Sequence, residues 1–292
     1  MKNEKNKVAL LSIFAAVFLT TSKLVIGLIT GSLGILSEAL HSALDLVAAL
    51  ITYISVRLSD KPADKDHHFG HGKIENLSAF LETILLLITC FWIISEAISR
   101  LVSGKTHIEV SIWSYIVVIA SILIDFSRSR ALSRVAKKYN SQALEADALH
   151  FSTDIWSSAV VLLGLICAQF GYFFADSVAA LIVGLIVIYV SYKLGRRAID
   201  VLLDKAPLST YSTIEKAIKN ITEISHFHDI KIRTAGADTF VEVNIHVKAE
   251  LNIKEAHEIA HKAEKEIIQI VERCEVHIHI EPDDTNENLA KL

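Results

Sequence analysis

Two segments of this chain repeat one arrangement: His41-Ser42-Ala43-Leu44-Asp45 and His150-Phe151-Ser152-Thr153-Asp154. In each, an imidazole and a carboxylate stand four residues apart, which on a helix places them one turn apart on one face. Both segments lie in apolar runs, where an ionisable side chain is costly and therefore points to function. Two imidazoles and two carboxylates match the ligand types and number that a tetrahedral Zn2+ takes. Nitrogen and carboxylate donors without thiolates suit Zn2+, Fe2+, Co2+ or Mn2+ and disfavour Cu(I). Mg2+ and Ca2+ take oxygen ligands, so two imidazoles argue against them. A lone polar residue in a membrane helix is ordinarily helix–helix adhesive, and Ser42 and Ser152 read that way. Four ionisable groups carry a larger desolvation cost, which a bound cation offsets. The ligands must be deprotonated to hold metal, so loading releases protons and protonation favours release. That linkage predicts inward protons exchanged for outward metal. Asp147 shares the face of His150 and Asp154. It reads either as an outer partner that orients a ligand or as a cap at the end of its span.

These residues need membrane helices to hold them. The 292 residues are 52% hydrophobic, with a mean hydropathy of +0.42, and the apolar residues cluster. Six runs have about the 20-residue length that a bilayer requires: Val8–Thr30, Leu33–Val56, Leu77–Leu101, Ile112–Phe126, Ala146–Phe170 and Phe174–Leu194. The fourth is short in apolar length and continues helically through Arg128–Lys138. The first is too long for the core of a cleaved signal, and no small-residue cleavage site follows it. Lys and Arg crowd one side: Lys2, Lys5 and Lys7, then Arg57 to Lys73, Arg128 to Lys138, and Lys193 to Arg197, against Arg100 and Lys105 on the other. This bias puts both termini in the cytoplasm, with the chain spanning an inner or plasma membrane in contact with its lipid. Lys23 in the first run can snorkel. Glu82, Glu96 and Asp125 are expected to pair with basic residues or lie near interfaces. Cys90, Cys167 and Cys274 form no framework. No dense basic patch suggests nucleic acid.

After the last span the pattern becomes that of a small α+β domain, in the order α-β-β-α-β. A helix is expected over Ser209–Ile221, capped by Ser209 or Thr210. Strands are expected over His226–Thr234 and Thr239–Ala249, joined by a turn at Ala235-Gly236-Ala237-Asp238. A helix over Ile253–Glu272 and a strand over Val276–Glu281 complete a sheet covered by helices on one face. The domains are therefore 1–198, 199–283 and a polar tail, 284–292.

Further histidines gather outside the spans. Asp64, Asp66, His67, His68 and His71 crowd a loop with Gly70 and Gly72, which permit its turns. This is either a solvated loop or a metal-capture site. His277, His279 and Glu281 alternate along one strand and Glu242, Asn244 and His246 along another, each set on one face. That is either the wet side of a sheet or, with His228 and His257, a metal site. His257-Glu258-Ile259-Ala260-His261 is a literal HExxH on a helix, the zinc-protease signature. A membrane-anchored metalloprotease is thus one alternative, and a passive divalent channel or metal sensor is another. The protease reading leaves both intramembrane His-Asp pairs unexplained, and its domain has no second lobe to form a cleft.

The two His-x-x-x-Asp segments, the six spans, the cytoplasmic domain and the loop Pro62–Glu75 with its Asp-His-His-Phe-Gly-His-Gly-Lys run resemble the cation diffusion facilitator family. The resemblance covers nearly the whole chain and implies a proton-coupled exporter of zinc or related metals, including Cd2+, and not an enzyme. It assigns His41, Asp45, His150 and Asp154 to the transport site and Asp64, His67 and His71 to a loop metal site. The well-studied bacterial members carry Asp where this chain has His41, and the His version is similar to the zinc-selective branch. The resemblance also implies a homodimer, a ferredoxin-like or metallochaperone-like cytoplasmic domain that responds to metal, and a dimer-locking charge pair at Lys73 and Asp204. His228, His257, His279 and Glu281 fall where relatives bind two zinc ions, with Glu281 in place of Asp. A further ligand His of relatives aligns with Asn244, for which His246, on the same side of its strand, can substitute.

Overall fold

A computed structural model of the chain describes residues 2–30, 33–103, 112–169 and 174–283. These divide into two compact units, Met1–Ile199 and Asp200–Leu292. The tail 284–292 lies outside the described residues.

The first unit is built from six helices of 27 to 31 residues: α1 (Lys2–Thr30), α2 (Leu33–Ser59), α3 (Lys73–Ser103), α4 (Ile112–Tyr139), α5 (Gln142–Gln169) and α6 (Phe174–Leu202). At 1.5 Å per residue each is about 40 Å or more in length, longer than a hydrocarbon core. Among the described residues, three stretches, Glu4–Ile29, Ala39–Ser59 and Lys73–Ser103, are both long and apolar enough to cross a membrane. The helices overrun the apolar windows read from the sequence. α3 starts at Lys73 rather than Leu77, and α6 continues to Leu202, because helix propagation does not stop where lipid does. α4 continues through Arg128–Lys138 to Tyr139 as expected.

α1 packs along α2, and α4 along α5, while α2 meets α5 far less extensively. Ala9, Val56, Leu132, Val135, Leu144 and Phe151 bury together where α1, α2, α4 and α5 converge. On α6, a Cβ at Gly184 would lie 2.7 Å from Ile94 Cγ1, and one at Gly195 would lie 2.8 Å from Thr83 Cγ2. Only glycine allows α3 side chains to seat there.

The second unit comprises α7 (Leu208–Lys219), β1 (His226–Ala235), β2 (Asp238–Val247), α8 (Ile253–Ile270) and β3 (Cys274–Pro282). β1 and β2 form a hairpin, with Gly236 at φ 63° in the turn. β3 pairs parallel with β2, so the sheet order is β1-β2-β3, and α8 supplies the crossover that a parallel pair needs. Val241, Val243, Ile245 and Val247 face Ile214 and Ile218 of α7 and Ala260 and Ile267 of α8. Both helices therefore cover one face and leave the other open.

Of these two helices, α8 starts at Ile253 as expected and α7 does not. α7 begins one residue earlier, after Pro207 (φ −72°), without any side-chain cap. The fixed φ of Pro207 sets the first turn in place of Ser209 or Thr210. α8 has a full capping box: the Asn252 side chain accepts from the Lys254 and Glu255 amides at 3.0 and 3.1 Å, and Glu255 accepts from the Asn252 amide at 3.0 Å.

Candidate metal centres

The one-turn spacing on α2 and on α5 does what it predicts locally. Packing then brings the two faces together. His150 Nε2 lies 3.0 Å from Asp45 Oδ1 and 3.5 Å from Asp154 Oδ2. His41 Nε2 lies 3.6 Å from Asp154 Oδ1 and 4.0 Å from Asp45 Oδ1. Each helix thus contributes one imidazole and one carboxylate to a common point, and each imidazole is nearer the other helix's carboxylate than its own. The His150 side chain is 3% exposed and that of His41 22%. Asp154 Oδ2 and His150 Nδ1 are buried without a hydrogen-bond partner. Donor atoms so close and so dry are suited to a small cation.

A cavity of about 230 Å³ reaches this point. His41, Asp45 and Asp154 line its floor, and Glu96 of α3, Val118 of α4 and Ser177 of α6 line it farther along. These last three lie toward the helix ends remote from the N-terminus of α1. On the other side of the tetrad, Thr52, Glu82, Leu144, Ala146 and Asp147 are completely buried. The site is therefore open on one side and sealed on the other.

The buried polar residues nearby are held locally. Asp147 accepts from Ser12 Oγ at 3.4 Å, and Arg128 donates to the same hydroxyl at 3.0 Å. Asp147 does not cap α5; its place is inside the helix, and Ser141 Oγ accepts from the Leu144 amide at 3.5 Å. Asp125 pairs with Arg128 at 3.2 Å. Glu82 accepts from Thr52 Oγ1, and from Ser78 Oγ at 3.2 Å. Lys23 does not snorkel: it is 5% exposed and donates to Ser42 Oγ at 2.9 Å.

The loop residues also converge. Asp64 Oδ1 accepts from the amides of His67 and Asp66 at 2.8 and 3.0 Å and faces His67 Nδ1 at 3.2 Å. Those amides hold the Asp64 carboxyl below the usual carboxylate range. Asp64 Oδ2 lies 3.6 Å from His71 Nε2, and the two imidazole rings are 4.3 Å apart. Gly70, at φ 72°, turns the chain back.

On the open face of the sheet, His228 Nε2 and His246 Nε2 each lie 3.4 Å from Glu281 Oε2. Register brings them together, since His228 sits beside Asn244 and His246 beside Glu281. Asn244 Nδ2 donates to Glu281 Oε1 at 3.1 Å. The outer nitrogens have partners too: His246 Nδ1 is 3.3 Å from the Pro282 carbonyl, and His228 Nδ1 is 3.2 Å from Asp229 Oδ2. A proton held on each Nδ1 leaves Nε2 as the free donor, the usual way a second contact prepares a histidine for metal. Asp229 reaches His228 through a bulge at φ 54°, a feature with no sequence signal. His279 stands at the rim, 3.7 Å from Glu281 Oε1.

His257 is not brought to this cluster within one chain. It is exposed on α8, which covers the opposite face, with its ring parallel to that of His261 at 6.1 Å. His261 faces Glu264 at 2.9 Å. The His257, Glu258 and His261 side chains thus lie on a solvated helix face. Lys73 begins α3, and Asp204, at φ 57°, follows α6.

Residues 9–203 match the cation efflux transmembrane domain, and residues 206–283 match the cytoplasmic domain of cation efflux proteins. The chain is 35% identical to an uncharacterized transporter of Methanocaldococcus jannaschii, over 95% of this chain and 99% of that one. It is 29% identical to the cation-efflux pump FieF of Shewanella oneidensis, over 93% and 92%. It is also 29% identical to the manganese efflux system protein MneS of Bacillus subtilis, over 94% of each chain.

Proposed function

We propose, from the premise that this chain belongs to the cation efflux family and is a multi-pass membrane transporter of divalent cations rather than an enzyme, that it exports Zn2+ from the cytoplasm in exchange for protons, with all six long helices spanning the membrane. The observation that carries this reading is the convergence of His41, Asp45, His150 and Asp154, at 3.0 to 4.0 Å, in the seam between α2 and α5. Two nitrogens and two carboxylates suit a tetrahedral Zn2+. Manganese is the second reading, because MneS is by name a manganese efflux protein; Mn2+ prefers more oxygen and a higher coordination number. Fe2+, Co2+ and Cd2+ are secondary cargoes.

In this reading the metal enters from the side that is sealed here and leaves through the cavity. Protons on the imidazoles and carboxylates then replace it, because a ligand that is protonated cannot hold metal. Alternating access requires the α2–α5 seam to open first on one side and then on the other. The loop triad Asp64, His67 and His71 would capture metal near the membrane surface. His228, His246 and Glu281, with His279 at the rim, would bind regulatory metal in the cytoplasmic domain. The chain works as a homodimer, which the family's cytoplasmic domain supports, and Lys73 and Asp204 would serve as its charge pair. His257, apart from the sheet cluster in one chain, could reach such a site only from a second chain.

The test is Zn2+ and Mn2+ flux into proteoliposomes under an imposed pH gradient, for wild type, Asp45→Ala and Asp154→Ala. Gradient-driven Zn2+ flux that both substitutions abolish is the expected result. Flux that ignores the gradient would remove the proton coupling, and flux that survives both substitutions would remove the site.

A further inference from the structure

One carboxylate ties the two helix pairs together on the sealed side. Glu75, in the first turn of α3, is buried. Its Oε1 accepts from Lys5 Nζ of α1 at 3.0 Å and from Ser59 Oγ of α2 at 2.9 Å. Its Oε2 accepts from Ser141 Oγ, in the turn between α4 and α5. One oxygen thus holds the α1–α2 pair and the other holds the α4–α5 pair. Lys5, itself buried, also reaches Asp60 Oδ1 at 2.8 Å, just past the end of α2. Ser141 is placed for its contact by Asn140, whose φ of 50° ends α4. The Ser141 amide then bonds back to the Ala136 carbonyl at 3.1 Å.

The tetrad is divided between the same two pairs, about 20 Å away along α2. The carboxylate and the tetrad therefore close one seam at two depths. A buried ion pair holds little more than apolar packing of the same shape, and its best-attested use is to fix a register or a switch. Its charges are costly only when left buried and unpaired; at helix ends, water replaces the partners as the seam parts. Glu4 also crosses the seam, to Lys138 Nζ and Tyr139 Oη at 2.6 and 2.5 Å. It does so exposed to solvent, where such pairs hold weakly.

We propose that Glu75 is the latch of the entry side: its bridge from Lys5 to Ser141 holds the seam shut while the cavity stands open beyond the tetrad, and its release lets the seam part for incoming metal. This rests on the alternating-access reading of the tetrad. Glu75 touches no transported ion in this role; it sets which side is open.

The test separates a latch from simple packing, because a latch trades one side for the other and packing damage loosens both. Two single-cysteine reporters are made in the full-length protein, with Cys90, Cys167 and Cys274 replaced by Ala. Thr52→Cys stands at a completely buried position on the sealed side, and Ser157→Cys lines the open cavity. The reaction of each with a small maleimide is timed in detergent. Glu75→Leu, close in size, removes the whole bridge; Ser141→Ala cuts it and leaves the Lys5–Glu75 pair intact. Each should speed the Thr52→Cys reaction about tenfold and slow the Ser157→Cys reaction about as much. Glu4→Gln, which breaks only the exposed crossing, should leave both rates within about twofold. Ser141→Ala decides alone if Glu75→Leu does not fold. Rates that stay as they were, or that rise together on both sides, would overturn the proposal. Asp154→Ala decides the premise separately: if Zn2+ flux survives it, the tetrad is not the transport site, whatever the reporters show.

Discussion

The helical tetrad and the sheet cluster use the same chemistry, imidazole nitrogen with carboxylate oxygen, in opposite settings. The tetrad draws on two helices that meet sparingly, and its His150 side chain is 3% exposed. The sheet cluster draws on three adjacent strands fixed to one another by backbone hydrogen bonds, and the His228 side chain is 32% exposed. A site whose halves belong to separately packed elements can be pulled apart and reformed. A site woven into one sheet can only be occupied or empty. The first arrangement suits passage and the second suits sensing.

The sharpest way to break this contrast is to remove one carboxylate from each. Asp45→Ala should reduce flux by about 100-fold or more, since it leaves imidazoles and a lone carboxylate in a dry site. Glu281→Ala should abolish metal binding to the sheet but change saturated flux by no more than about threefold, if occupancy there only tunes transport. Equal losses in both would show that the sheet metal is part of the transport cycle. Asn244→Ala should weaken sheet binding by about 10-fold to 100-fold, as loss of an outer partner does, while leaving tetrad affinity unchanged.

Packing provides a smaller test. Thr83 is held in its rotamer by donating to the Ala79 carbonyl at 2.8 Å, so it cannot swing away from a methyl placed at Gly195. Gly195→Ala should cost about 1–3 kcal/mol of stability, read as a lowered Tm. It should slow flux without altering sheet binding. The smallest effect concerns the loop. Its Asp64 carboxyl is held below the usual range, so its contribution is complete above the ordinary aspartate pKa and is lost only as pH falls through the lower folded one. Asp64→Asn should therefore weaken Zn2+ binding to the loop at neutral pH, read by calorimetry, while leaving binding to the sheet cluster unchanged.

What the sequence discloses depends on how local the signal is. The i, i+4 pairs on α2 and α5, the Asp64–His71 loop and the alternation on β2 and β3 are all short-range patterns, legible in the residues alone. The capping box Asn252-x-x-Glu255 is equally local, although Asn in place of Ser or Thr makes it a fainter mark. Lys23 runs against expectation because snorkelling is the default for a lysine in a span, and only tertiary packing sets its direction. Asn244 passes in sequence for a weakened ligand; the structure makes it the group that holds Glu281. The Asp229 bulge depends on strand register, which no residue type announces.

The tetrad is shared two and two across a seam that is otherwise lightly packed. An ion filling it would be a rivet as well as a passenger, joining helices that have few other bonds to each other. The loaded protein would then be mechanically stiffer than the empty one. A metal's preferred coordination geometry would act as a gauge of the angle between α2 and α5, and an ion of the wrong shape would be rejected because it sets the wrong angle.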